Sequence, residues 1–238
     1  MKKLLLLITI LTLNTYAQKI YTTFDIEAEK TANLAFSSGG TISKVMTDIS
    51  MLVKKGDILA ELNHDDITAN LNIAKVALSH AKNDYQRQNI AKHVIQQSKL
   101  DLHKFKYDSA KAQVAYIQTL LNKSTLKAPF DGIITAKMIE VGDVVSAAMI
   151  RTAFQIQSQR KRKLIIKFDQ KYWKSVQTGN AFSYTIDGDD KEHHGVITKI
   201  HPKTNSKSRK MIAEVYAEDL IVGLFGTGYI STQDEGSN

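Results

Sequence analysis

The residues whose types could do chemistry are few and lie apart. His64, Asp65 and Asp66 stand together, as do Glu192, His193 and His194. His64 with Asp66 could hold a cation weakly, but aspartates at the head of a helical run are also what a helix N-terminus takes as caps. Adjacent residues on a strand point to opposite faces, so His193 and His194 make a poor chelate. Met46, Met51, Met138, Met149 and Met211 are scattered. The chain has no cysteine, which removes disulfides, thiolate metal sites, a cysteine nucleophile and a lipid-modified N-terminal cysteine. No P-loop, G-x-S-x-G or H-E-x-x-H string occurs. "SSGGT", Ser37 to Thr41, leads into a strand and so lacks the helix N-terminus that would hold a phosphate. Lys137, in "AKM", has the neighbours of a lipoyl or biotin carrier lysine but lies inside a strand, and carriers present theirs at a hairpin between two halves. "RKRK", Arg160 to Lys163, has no interleaved aromatics. It reads as a solvated linker, or as a contact for anionic headgroups at about 1 kcal/mol per basic residue, rather than as a nucleic-acid site. The expectation is a protein with no catalytic residues, no cofactor, no metal site and no nucleic-acid partner.

The totals fit a soluble protein of ordinary composition. The chain has 238 residues, 43% hydrophobic and 24% charged, which suits one to three small domains. Its formal charge is +8, and loss of Lys2 and Lys3 with a leader leaves a mildly basic +6. The leader is read from Lys2-Lys3, the apolar run "LLLLITILTL" (Leu4 to Leu13), and small residues at Thr15 and Ala17 that place cleavage after Ala17. The run is too short for a span that takes ~20 residues; an uncleaved N-terminal anchor is the alternative.

Two stretches further on share a register. "GGTISKVMTDISMLVKKGD" (Gly39 to Asp57) and "KAPFDGIITAKMIEVGDVV" (Lys127 to Val145) each read as strand-turn-strand. Counted from Gly40 and from Gly132, Ile42 and Ile134 fall at the same step, and so do Val53 and Val145. Ser50 stands where the other copy has Gly142, and Ala148 where the other has Gly56, so the turns are expected to differ there. Each unit is too small to bury a core alone. Two facing copies form a small sandwich, and anything inserted between them must leave and return at one end.

The insert, Asp65 to Thr125, is helical. Ile67, Leu71, Ala74, Leu78, Ala81 and Tyr85 alternate spacings of four and three, as do Leu100, His103, Tyr107, Ala110, Val114, Ile117 and Leu121 (His103 filling one apolar slot). That is one narrow seam per helix, the pattern of an antiparallel coiled coil; an ordinary helical bundle is the bland alternative. The break falls near "AKHVIQQS". Ser98 to Asp101 reads as a capping box, which starts the second helix at Lys99, with Asp65 or Asp66 capping the first. After "SQRKRK", the segments "LIIKF", "AFSYTI", "HGVITKI" and "MIAEVYA" read as strands of a small β-barrel, with a short helix over "DQKYWKSV".

The order of these parts resembles the periplasmic adaptor, or membrane fusion, proteins of efflux and secretion systems. "VKKGDILAELN" (Val53 to Asn63), "LKAPFDGIIT" (Leu126 to Thr135), "GVITKIHP" (Gly195 to Pro202), "SRK" (Ser208 to Lys210) and "GLFGTGYI" (Gly223 to Ile230) carry the resemblance in the right order. It implies a mainly β fold: a split lipoyl-like (barrel-sandwich) domain, an antiparallel coiled-coil hairpin and a small β-barrel. The division expected is 1–17 leader, 18–35 N-terminal strands as part of a membrane-proximal region, 36–64 and 126–157 lipoyl-like halves, 65–125 hairpin, 158–230 barrel and 231–238 polar tail. It implies a periplasmic protein associated with the inner membrane, assembled as a homo-oligomer. The implied partners are an inner-membrane transporter, by hairpin length of the resistance–nodulation–division type, and an outer-membrane TolC-type channel. It places partner docking at the hairpin tip: Arg87, Ile90, Val94, Ile95, Gln96 and Ser98. Family tips carry an arginine, a leucine four residues on, and an Ile-Ser; here Ala91 stands at the leucine's place and Gln96 at the serine's. The alternative is that Ile90 and Ile95 only close the coiled coil. N-terminal sequencing of the purified protein is expected to begin near Gln18; an intact Met1, in protein extracted only by detergent, would establish the anchored form.

Overall fold

The computed structural model describes residues 18–91, 93–204 and 208–232; the expected leader and the polar tail beyond Thr232 lie outside them. The elements are β1 (Gln18–Ala28), β2 (Thr31–Leu34), β3 (Gly40–Val45), β4 (Leu52–Val53), β5 (Ile58–Leu62), α1 (Asp65–Ile90), α2 (Gln97–Lys123), β6 (Thr125–Lys127), β7 (Gly132–Lys137), β8 (Val144–Val145), β9 (Phe154–Ser158), β10 (Lys161–Asp169), β11 (Ala181–Ile186), β12 (His193–Ile200), β13 (Lys210–Glu218) and β14 (Phe225–Thr232). They fall into two compact units, one of residues 30–159 and one formed by the residues before and after it.

In the first unit two sheets, β2-β9-β7-β4 and β6-β5-β3-β8, enclose a core. Each sheet mixes the two sequence halves. Short β4 pairs with β7 of the other half, and short β8 with β3. The loops reciprocate: the Ser50 N–H donates to the Ile134 carbonyl at 2.8 Å, and the Gly142 N–H to the Ile42 carbonyl at 2.9 Å. Ile42 and Ile134, the shared register positions, are each 1% exposed at the centre, with Leu59, Phe154 and Ile156 around them. Each such side chain contributes about 1.5–3 kcal/mol on burial. Ser50 corrects an expectation. It takes φ 68°, the left-handed conformation of Gly142 at φ 96°, so the two turns are alike. The serine bears a cost of about 1–2 kcal/mol there, held by its bond to Ile134. The other expected difference is present: four residues join β4 to β5 but eight join β8 to β9, around Ala148.

Leu62 donates its N–H to the Ser124 carbonyl at 2.8 Å, and Glu61 pairs with Thr125, so the insert leaves and returns at one end of the sheet. The seam lies where the heptads place it. Leu71, Ala74 and Ile117 are buried, with Ile67, Val114 and Leu121 packed on them. Two capping expectations fail. The second helix begins at Gln97, not Lys99; Gln96 stands before it without a side-chain cap, and Asp101 accepts from the Gln97 amide, four residues back. Asp65 and Asp66 lie inside the first turn of α1, where they face the positive end of the helix dipole, while the Asn63 side chain accepts from the Asp65 N–H.

The second unit is a closed barrel, β1-β10-β13-β12-β11-β14. Phe24 sits edge-on to Phe182 (5.8 Å) and to Tyr184 (5.3 Å) in its core. Three sequence readings change here. Residues 18–35 are not a separate region: β1 is a barrel strand and β2 belongs to the first unit. "RKRK" is no linker, because Lys161 to Lys163 lie in β10. Arg162 is buried and donates to the Leu220 carbonyl at 2.6 Å, and Arg160 pairs with Asp219 at 2.8 Å. "DQKYWKSV" holds only a 3-10 turn, Gln170–Tyr172, capped by the Asp169 side chain.

Placing a charge in the seam tests the hairpin. Leu71→Asp is expected to cost several kcal/mol, because the carboxylate is buried without a partner. Lys82→Asp, on the exposed face, should stay within about 0.5 kcal/mol. Thermal unfolding of both variants checks this, and equal melting points would refute the seam.

Candidate functional site at the hairpin tip

At 1.5 Å per residue, the 26 residues of α1 make a lever roughly 40 Å long. Its packing is graded. Leu71, Ala74 and Ile117 near the base are buried, whereas Leu78, Ala81 and Tyr85 further out are half-buried. Toward the tip the Tyr85 and Tyr107 rings stack, 5.8 Å apart and 7° from parallel. His103, in the seam as expected, has Nδ1 buried with no hydrogen-bond partner. An unpaired buried polar atom costs about 1–3 kcal/mol, so the outer hairpin is held less firmly than its base.

The tip turn runs from Ala91 to Gln96. The Val94 N–H donates to the Ala91 carbonyl at 2.9 Å, and the Gln96 carbonyl accepts from Lys99 at 3.0 Å. Ile90, the last residue of α1, is 83% exposed, and Val94 is 86% exposed. Ile95 is half-buried, and Gln96 and Ser98 are exposed. Arg87 forms an ion pair with Asp84, one turn back on its own helix, and both side chains are largely exposed. Such a pair is worth at most about 1 kcal/mol, so the guanidinium is available to a stronger acceptor. Closing the coiled coil needs buried side chains. Only Ile95 of the three apolar tip residues has that character.

The other candidate groups are spoken for. Lys137 pairs with Glu140 at 2.8 Å and with Asp48 at 3.6 Å, and the hydrogen bond it donates to Glu140 raises its pKa. His64 Nδ1 lies 3.2 Å from the Thr68 hydroxyl. His193 lies 3.1 Å from Asp189 and holds that carboxyl below its usual range. Among the described residues no three His, Cys, Asp or Glu side chains are placed to hold a metal. Sequence reasoning missed a second apolar surface on the hairpin. Ile73 and Val76 on α1, and Leu102, Phe105 and Tyr116 on α2, are 51–69% exposed outside the seam. Their spacings of three, three and eleven residues keep each set on one helix face, which is the signal that would have found them.

Residues 30–156 match the family described as CzcB-like, barrel-sandwich hybrid domain. The chain belongs to this family of membrane fusion, or periplasmic adaptor, proteins. Relatives of these adaptors include an uncharacterized protein of Haemophilus influenzae, 26% identical over 192 residues, which are 79% of this chain and 50% of that one. The cobalt-zinc-cadmium resistance protein CzcB of Cupriavidus metallidurans is 26% identical over 135 residues, half of this chain and 26% of its own. The chain thus spans half or less of the curated relatives it matches. The fold is that of a MacA-MexA chimeric protein containing the Pseudomonas aeruginosa MexA α-hairpin, at TM-score 0.83, 21% identity, and coverage of 91% of this chain and 80% of the other.

Because Ile90 and Val94 touch little of their own protein, Ile90→Ser and Val94→Ser should leave melting unchanged within about 0.5 kcal/mol. His103→Leu should raise hairpin stability by about 1–2 kcal/mol, by removing the unpaired ring nitrogen. Calorimetry of the purified variants checks both; a loss at Ile90 would place that side chain in the packing.

Proposed function

We propose that this adaptor bridges an inner-membrane transporter, of the resistance–nodulation–division type, to an outer-membrane TolC-type channel, and that it has no catalytic step of its own. Arg87, Ile90, Val94, Ile95, Gln96 and Ser98 form the surface that docks on the channel. The observation that carries this reading is the pair Ile90 and Val94, exposed at the end of the helical lever. Large apolar side chains left in water at a projecting turn are a partner surface. Arg87 adds a planar donor for a carbonyl or carboxylate on that partner. The apolar faces of α1 and α2 outside the seam support side-by-side association of hairpins, hence a homo-oligomer. The adaptor works in the periplasm, associated with the inner membrane.

Arg87→Asp and Ile95→Ser test the tip. Hairpin stability and cross-linking to the channel in cells are measured together. Docking predicts lost cross-linking and lost efflux at unchanged stability for Arg87→Asp. Cross-linking that merely follows the folded fraction of each variant assigns these residues to packing. Full cross-linking and full efflux in both would move docking to another surface.

A further inference from the structure

We propose that one end of the barrel is a docking surface for an anionic lipid bilayer, with Trp173 as its inserted group and Lys171, Lys174 and Arg209 as its headgroup contacts. This rests on the reading of an adaptor associated with the inner membrane, and it names the surface that makes the association.

Trp173 is the chain's only tryptophan. It is 61% exposed, on the turn that follows β10. The turn is not loose. Tyr172 packs against the barrel core, Val176 is 2% exposed within it, and the Val176 N–H donates to the Tyr172 carbonyl at 3.0 Å. Asp169 caps the turn by accepting from the Lys171 N–H at 2.9 Å. The indole is therefore projected into solvent by a fixed support. The Lys174 ammonium lies 5.4 Å from its ring and the Lys171 ammonium 4.8 Å from the Tyr172 ring. Lys171, Trp173, Thr204 and Arg209 line one open depression of about 620 Å³. Among the described residues, none of the three cations has an ion-pair partner.

Strand register shows what else shares this end. Thr23 pairs with Lys167, and Gln18 with Thr232, so the starts of β1 and β13 and the ends of β10 and β14 lie together. Lys19, Lys203 and Lys210 join the three cations there, against the one carboxylate of Asp169 among the described residues. The other end is mixed: Asp187, Asp189, Asp190, Glu192, Glu218 and Asp219 stand alongside Arg160, Lys161 and Lys191. A tryptophan ringed by lysine and arginine matches the bilayer interface, where the indole sits at headgroup level and the cations meet anionic lipid. A protein groove would take the indole but has no need of cations spread over the whole end.

The single tryptophan makes the test direct. The full chain is mixed with vesicles of phosphatidylcholine alone, or of phosphatidylcholine and phosphatidylglycerol at three to one, and Trp173 emission and co-sedimentation are read. Expected are a blue shift and sedimentation with the anionic vesicles only, both lost at high salt. Lys171→Glu with Lys174→Glu should weaken binding by about fivefold or more per charge removed, and Trp173→Ser should weaken sedimentation. The same charge change at exposed Lys54 and Lys55, in the other unit, should have a small effect. No blue shift in the wild-type chain overturns the proposal without any variant. So does binding that survives Lys171→Glu with Lys174→Glu, which would belong to the leader, or equal loss with the Lys54 and Lys55 changes. Emission that shifts only when transporter is added to the vesicles assigns the surface to a protein. Vesicle binding needs no channel: its failure with efflux intact removes this surface and leaves the bridging function standing, and the converse result does the reverse.

Discussion

The structure depends on an exchange of strands between two halves that the sequence keeps apart. β4 and β8 are two residues each, far below what stands alone in water. Each exists because the other half supplies a strand beside it, and the reciprocal bonds from Ser50 and Gly142 lock the exchange. Neither half can then fold without its partner, so the two must meet before the core around Ile42 and Ile134 closes. The intervening insert would be a loop to close. Closure entropy grows slowly with length, and an antiparallel hairpin brings its own two ends together. The helices thus hold the halves in reach of each other, and the paired halves give the helices a rigid root at Leu62 and Ser124.

Much of this was legible because it is written as periodicity. The shared register put Ile42 with Ile134 and Val53 with Val145, and β3 and β7 start at the two glycines from which the register is counted. The heptads placed Leu71, Ala74 and Ile117 in the seam. What was not legible depended on tertiary neighbours. Nothing local distinguishes a serine held left-handed by a distant carbonyl from one in an ordinary turn. β1 alternates well as a strand, but its pairing with β10 and β14, more than a hundred residues away, leaves no local trace. "RKRK" looks like a solvated run because charge dominates its composition. Arg162 is inside, where the Leu220 and Lys161 carbonyls accept from it. The Ser98 capping box lost to a helix start two residues earlier, where the Gln97 amide bonds Asp101 directly.

For the site, sequence could name the tip residues but not weigh them. Ile90, Val94 and Ile95 look alike as letters, and only burial separates the two in water from the one partly packed. The pairing of Arg87 with Asp84 is a matter of helix geometry at three residues' spacing. The second apolar surface of the hairpin was hidden by the first. Once a heptad explains one stripe, isoleucine, valine and phenylalanine outside it read as the scatter that any surface carries.

The gradient of packing along the hairpin fits a coupling role better than a rigid one. A base fixed by buried leucine and isoleucine transmits displacement. An outer half closed by a tyrosine stack, with one unpaired histidine nitrogen, opens at lower cost. A partner that met a fully rigid tip would have to match it in the first encounter. A tip that can adjust loses some ordering entropy on docking and so binds less tightly for the area it covers, but it accommodates a partner approached from more than one angle. That trade suits the docking role proposed for the tip.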